Sequence, residues 1–96
     1  NVGIDAEYPR RVRGSAAERV CTPAELRDIQ SSPNPAARFL VYWTLKESIS
    51  KCRGTGLSES FQNYEITFQN GMPHFNGYTL FFEQYGVHFL AAAEEA

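Results

Sequence analysis

The sequence contains one long segment of helical periodicity, bounded on both sides by residues typical of helix ends. Asn34 followed by Pro35 is a helix start signal, because a short polar side chain caps the first turn and proline fits its first position. Gly54 favours a left-handed C-terminal cap, and Lys51 and Arg53 just before it complement the negative end of the helix dipole. We therefore predict a helix from about Pro35 to Arg53.

Two lines of side chains run along this predicted helix. One is an apolar stripe at helical spacing, which should be the core face. The other repeats every four residues on a neighbouring face and is aromatic at one end and ionic at the other. The stripe is Val41, Leu45, Ile49 and Cys52, and the second line is Phe39, Trp43, Glu47 and Lys51.

The residues before the long helix predict a strand and a short helix. Residues 2–8 alternate, which indicates a strand that ends before Pro9 and has one acidic face. Thr22, Pro23 and Glu25 have the form of a capping box, so a short helix should run from there through about Ile29. On the strand, one face holds Val2, Ile4 and Ala6 and the other holds Gly3, Asp5 and Glu7.

After Gly54 the periodicity changes from helical to two. Residues 64–68 alternate as in a strand, and Asn70 followed by Gly71 is a strong hairpin signal. Residues 78–82 and 87–91 resemble two further strands about Gly86. We predict an α+β fold over residues 1–96, a single domain in which a small antiparallel sheet packs on one long helix.

Composition excludes several classes of protein. The 96 residues are 43% hydrophobic, enough for one core, and a net charge of −2 argues against a nucleic-acid binder. We expect no membrane span or secretory leader, and Cys21 and Cys52 form no metal or redox motif, so we expect reduced thiols in a cytoplasmic protein. Since Asn1 abuts a strand without an initiator Met, a fragment of a longer protein is one interpretation.

A basic cluster follows the first predicted strand. One interpretation is a solvated, charged connection, and the other is a patch for an acidic partner. The cluster is Arg10, Arg11, Arg13 and Arg19.

Three carboxylates are candidates for chemistry: Asp5 and Glu7 on the strand, and Glu47 on the long helix. Like charges that close repel unless a cation neutralises them, and Mg²⁺ takes one or two carboxylates together with phosphate oxygens. Spacing alone leaves two alternatives, a solvated strand edge and a metal site. Likewise Glu47 and Lys51 are either an ordinary helix pair or part of a phosphate site.

Two segments of the chain resemble the signatures of the 4′-phosphopantetheinyl transferases. The first is Val-Gly-Ile-Asp-Ala-Glu at 2–7, and the second is Trp-Thr-Leu-Lys-Glu-Ser-Ile-Ser-Lys at 43–51, followed by Gly-Thr-Gly-Leu at 54–57. Trp43 and Glu7 are more similar to the larger, surfactin-synthetase-activating type, a pseudo-dimer of which this chain resembles the C-terminal half. A small trimeric holo-acyl-carrier-protein synthase is the alternative. Ala6 stands where the family usually has a larger aliphatic residue, and we expect it to face the core.

The resemblance implies transfer of the phosphopantetheine arm from coenzyme A to a serine of an apo acyl or peptidyl carrier protein. It implies Asp5, Glu7 and Glu47 as Mg²⁺ ligands, with Glu47 also as general base, directly or through a water. Lys51 would contact the phosphates, and Lys46 would contribute to coenzyme A binding. An N-terminal half or a second copy would complete the pocket. The competing hypothesis is a non-catalytic half-enzyme that acts as a pairing domain, its aromatic residues forming the interface.

Overall fold

A computed structural model describes residues 1–9, 15–54 and 59–96 of the chain. One strand is followed by three helices and then by four strands, a segregated order typical of the α+β class, which confirms the predicted fold class. In chain order they are β1 (Val2–Glu7), α1 (Ala16–Val20), α2 (Pro23–Gln30), α3 (Pro35–Arg53), a 3₁₀ turn (Phe61–Asn63), β2 (Thr67–Gln69), β3 (Met72–His74), β4 (Tyr78–Tyr85) and β5 (His88–Glu95).

The helix ends lie where their capping residues predict. The N–H of Ala37 donates to Asn34 Oδ1 at 3.2 Å, and Gly54 closes α3 with a left-handed φ of 73°. At α2 the capping box is complete, because Thr22 N–H donates to Glu25 Oε1 and Glu25 N–H donates to Thr22 Oγ1. These contacts satisfy backbone groups that a helix terminus leaves without partners.

The main sheet has the strand order β1, β5, β4, and both pairings are antiparallel. Ile4 lies opposite Ala92, which in turn lies opposite Phe81. The smaller β2–β3 hairpin turns at Asn70 and Gly71, with φ of 53° and 77°, as a two-residue hairpin loop requires. The first and last strands of the chain are therefore neighbours.

Helix α3 packs against β1 at very short range. A Cβ built on Gly3 would lie 2.0 Å from Ser48 O and 2.3 Å from Cys52 N, so the strand and helix backbones touch there. Glycine permits this approach because it carries no side chain. The predicted apolar stripe of α3 is buried in the core, which confirms it: Val41, Leu45, Ile49 and Cys52.

The orientation of β1 is the main departure from expectation. Ala6 was expected to face the core, and this is wrong: Ala6 is exposed, as are Val2 (57%) and Ile4 (63%). Gly3 and Asp5 are buried against α3 instead. Helix α3 packs against the polar face of β1 because Gly3 lies on that face, and a residue without a Cβ lets the two backbones touch.

Two further local differences concern short elements. The segment 64–68 forms a strand only from Thr67, and residues 64–66 connect the 3₁₀ turn to that strand without regular structure. Tyr64 and Ile66 are nevertheless buried, as their alternation predicts. The five-residue helix α1 had no signal in the sequence. Within the described ranges, no helix combines the length and apolar character required to cross a membrane.

Candidate functional site

The candidate site lies where the acidic face of β1 meets the last turns of α3. Asp5 projects toward the helix and is 5% exposed. Lys51 Nζ donates to Asp5 Oδ1 at 2.7 Å, and the lysine side chain is 52% exposed. These residues are 46 positions apart, and the close approach at Gly3 brings them together. A buried carboxylate thus faces a half-exposed ammonium group.

The other two predicted carboxylates attract the same ammonium group. The hydrogen bond to Asp5 raises the pKa of Lys51, and attraction to Glu47 and Glu7 adds to the rise, although burial opposes it. Glu7 and Glu47 are both half-buried. Lys51 is therefore hydrogen-bonded to one of the three carboxylates and attracted electrostatically by the other two.

Carboxylate oxygens are chemically suitable ligands for a hard divalent cation. Asp5 Oδ2 is buried and has no hydrogen-bond partner among the described residues, so one oxygen of an already paired carboxylate is left without a donor. Oxygen ligands of this kind are those that Mg²⁺ prefers. Within the described ranges, no three acidic, histidine or cysteine side chains form a ready-made metal cluster. Asp5 is paired with the Lys51 ammonium instead.

Lys46 occupies a different environment from the one its predicted role requires. Its side chain is fully buried, and Nζ pairs with Glu25 Oε1 at 2.8 Å. The same Nζ donates to the carbonyls of Phe61 and Tyr64, each at 2.9 Å. An ammonium group has three donors, and all three are used inside the core. This geometry argues against the predicted contact between Lys46 and coenzyme A.

Glu25 is the residue that sequence reasoning missed. Besides the cap and the ion pair, its Oε2 accepts from the Ile66 N–H at 2.7 Å. It thus joins α2, α3 and the segment before β2 in one buried polar cluster. The capping pattern predicted only the contact of Glu25 with Thr22, because its other partners lie 21 and 41 positions away in the chain.

Trp43 and Arg53, on the same helix as Glu47 and Lys51, contact side chains of the segment that follows the helix. The Trp43 ring packs on Phe61 with centroids 5.5 Å apart, as expected of a core or interface residue. Arg53 holds Glu59 through two hydrogen bonds of 2.8 and 3.1 Å, and a third reaches Tyr78 Oη at 3.1 Å. Arg53 and Glu59 thereby connect the two described sides of segment 55–58.

Some predicted features lie outside the described residues. These are residues 55–57 of the second motif and three arginines of the basic cluster, Arg10, Arg11 and Arg13. The fourth arginine, Arg19, is exposed on α1 and donates to Ser15 Oγ at 3.0 Å. His74 and His88, the two histidines of the sequence, are exposed on strands β3 and β5.

Comparisons with known proteins identify a matching family and similar structures. The family model described as the 4′-phosphopantetheinyl transferase superfamily matches residues 1–93. The holo-[acyl-carrier-protein] synthase of Thermotoga maritima is similar in structure, with 27% identity and a TM-score of 0.83; the match covers 96% of this chain and 60% of that chain. The present chain thus spans less than two thirds of that relative. No curated protein sequence matches it.

Two further synthases share the fold. The enzyme of Neisseria meningitidis is 23% identical with a TM-score of 0.82, and the match covers 96% of this chain and 94% of that chain. The Helicobacter pylori enzyme, in complex with coenzyme A, is 15% identical with a TM-score of 0.79, and both chains are covered completely. These relatives are holo-acyl-carrier-protein synthases, so the similarity to the C-terminal half of the surfactin-synthetase-activating type is not confirmed.

Proposed function

Because the chain belongs to the 4′-phosphopantetheinyl transferase superfamily, we propose that it transfers the 4′-phosphopantetheine group of coenzyme A to a serine of an apo carrier protein. The observation that carries the proposal is the Asp5–Lys51 pair with Glu7 and Glu47 beside it. The complex of the Helicobacter pylori synthase with coenzyme A supports the choice of substrate. A cytoplasmic location belongs to the same proposal.

The proposed reaction is a displacement at phosphorus. The carrier serine oxygen forms a bond to the β-phosphorus of coenzyme A, and the bond from that phosphorus to the bridging oxygen breaks. Adenosine 3′,5′-bisphosphate leaves with the electron pair. Such a reaction requires mainly positioning and neutralisation of charge from the protein, with little covalent chemistry.

In this proposal Asp5, Glu7 and Glu47 hold Mg²⁺. The cation, when bound, stabilises negative charge on the phosphoryl oxygens and on the leaving phosphate. Glu47 accepts the serine proton, directly or through a water, because it sits on α3 beside the carboxylates where the hydroxyl must arrive. Lys51 offers a positive charge to the pyrophosphate, and its half-exposed, flexible side chain supports that role.

The direct experiment uses the protein with apo carrier protein, coenzyme A and Mg²⁺. Mass spectrometry should detect the added phosphopantetheine arm on the carrier. Glu47→Gln should abolish the transfer and leave the fold intact, because it removes both a metal ligand and the proton acceptor. Glu65→Gln, a change at an exposed glutamate near α2, is the matched control. Turnover by Glu47→Gln at the rate of the control would disprove the assigned site.

A partner surface is part of the proposal. The sheet face opposite α3 carries exposed apolar side chains, with Ile4 at 63% and Phe81 at 59%; Ala92 lies half-buried between them and Leu90 is half-buried on the same strand. Contiguous exposed apolar surface is typical of an interaction site. We assign it to a second copy of the chain, which would complete the coenzyme A pocket.

The same surface favours a second candidate function, a pairing domain without catalysis. Both functions require that the chain associate with a second copy, so a measurement of its molecular mass in solution tests this shared premise. A chain that stays monomeric at all concentrations contradicts both functions. The transfer assay then separates them. An associated protein that binds metal and coenzyme A and modifies the carrier is the enzyme, and an associated protein without transfer is the pairing domain.

A further inference from the structure

The Lys51 ammonium occupies one of the two Asp5 oxygens that a metal ion would use. It contacts Asp5 Oδ1 at 2.7 Å, and Glu47 and Glu7 are close enough to stabilise its charge. It is therefore paired with one of the three carboxylates assigned as ligands and attracted by the other two. We propose that Lys51 is the resident counter-charge of Asp5 in the metal-free protein and that a divalent cation replaces it. This inference rests on the proposed function and concerns the order in which that site is assembled.

The buried Asp5 carboxylate needs a positively charged partner, which is Lys51 when no metal is bound. It is 5% exposed, and burying an ionised carboxylate without a partner is unfavourable. Lys51 satisfies Oδ1 alone, while Oδ2 stays buried without a partner among the described residues. The ion pair therefore uses only one of the two carboxylate oxygens of Asp5. A divalent cation offers more charge and can use the second oxygen.

The lysine is the partner that can move. Asp5 is held in β1 by its pairing with Ala91 of β5 and by the backbone contact of β1 with α3 at Gly3. Lys51 stands in the last turn of α3 with a 52% exposed side chain, and its four-carbon stem has many accessible rotamers. Exchange therefore requires rotation of one surface side chain and no change in the fold.

Exchange also explains how one lysine can serve two roles. A divalent cation and an ammonium group repel each other at the same carboxylate, so metal binding drives the ammonium away. It is then released beside the metal, where the pyrophosphate of coenzyme A would lie. Metal binding thus precedes and prepares the phosphate contact, which predicts ordered addition of the metal before coenzyme A.

The sequence makes the exchange directly observable. Lys46 and Lys51 are the only lysines among the 96 residues, and Lys46 is fully buried with its three donors occupied. Protein labelled with ¹³C at lysine Cε therefore gives two signals, and Lys51→Met identifies one of them by its loss. Titration with Mg²⁺ should shift the Lys51 signal in a saturable manner and leave the Lys46 signal in place. In Asp5→Asn, the Lys51 signal should already be displaced without metal.

Metal affinity gives a second, independent readout. In the absence of coenzyme A, Lys51→Met should bind Mn²⁺ more tightly than the unaltered protein by roughly tenfold or more, because a competing cation has been removed. Lys51→Arg retains the charge and should keep the original affinity. Weaker Mn²⁺ binding by Lys51→Met would instead mean that Lys51 orients Asp5 as a ligand, and this overturns the exchange.

The outcomes separate this inference from the proposed function. If the metal binds while the Lys51 signal stays in place, the exchange is refuted and the transferase assignment stands. If neither Mg²⁺ nor Mn²⁺ binds, with or without coenzyme A, the metal site of the proposed function fails and the exchange fails with it. A saturable shift of Lys51 alone, with tighter Mn²⁺ binding by Lys51→Met, supports both.

Discussion

Replacing Lys46 by methionine should destabilise the protein severely without acting on coenzyme A binding. Methionine is similar in length and apolar, so it fills the space but supplies no charge and no donor. The Glu25 carboxylate, fully buried, then loses its counter-ion 2.8 Å away. The carbonyls of Phe61 and Tyr64 each lose a hydrogen bond of 2.9 Å.

The expected cost follows from this geometry. Removing one partner of a buried ion pair costs about 3–5 kcal/mol, because an uncompensated charge stays inside. A domain of this size is stable by only about 5–15 kcal/mol in total. Since about 1 kcal/mol lowers the melting temperature of so small a domain by about 4–8 °C, the Tm should fall on the order of 20 °C.

Urea unfolding followed by circular dichroism measures the change, and a double-mutant cycle apportions it. Lys46→Met combined with Glu25→Gln should cost clearly less than the sum of the two single changes, since the double variant buries no unpaired charge. Arg38→Met is the control on the same helix. Arg38 pairs with Asp28 at 2.8 Å, but both side chains are partly exposed, so its loss should cost about 1 kcal/mol.

Two results would refute this reasoning. One is a loss below about 1 kcal/mol for Lys46→Met, which would mean that the ion pair contributes no more than a surface pair. The other is a large fall in coenzyme A affinity at unchanged stability, which would restore the ligand contact expected from the sequence. Affinity is measured by calorimetry at a temperature where the variant is folded.

Gly3→Ala should lower the free energy of unfolding by about 3 kcal/mol or more, because its Cβ would lie 2.0 Å from Ser48 O and 2.3 Å from Cys52 N. These are backbone atoms, which cannot rotate away. Ala6→Ser, on the exposed face of the same strand, should be nearly neutral in the same urea assay. Burial raises the pKa of Cys21 to about 11 from an ordinary 9.0, so the folded thiol should resist iodoacetamide at pH 8.5 and react once the chain is unfolded. The contribution of Cys21 to stability should be lost as the pH rises from about 9 to 11, because the unfolded chain releases the proton first; rapid alkylation of the folded protein would contradict both statements about Cys21.

Much of the fold could be predicted because its signals are local. The bounds of α3 followed from Asn34, Pro35 and Gly54, since capping groups bond within one turn of the residue that carries them. The hairpin at Asn70 and Gly71 followed from the backbone conformations that these residues accept. The candidate site was predictable only as a set of residue types, and its assignment to a metal came from resemblance.

Tertiary packing determined the features that depend on distant partners. Alternation in β1 defined two faces, but the absence of a Cβ at Gly3 decided that the polar face meets α3. That contact buries Asp5 and places Lys51 beside it. Lys46 and Lys51 look equivalent along the helix, yet one ends in the core on Glu25 and the other at the surface on Asp5. Local periodicity specifies the direction of a side chain relative to its own element, whereas the partner that it meets depends on how the elements pack.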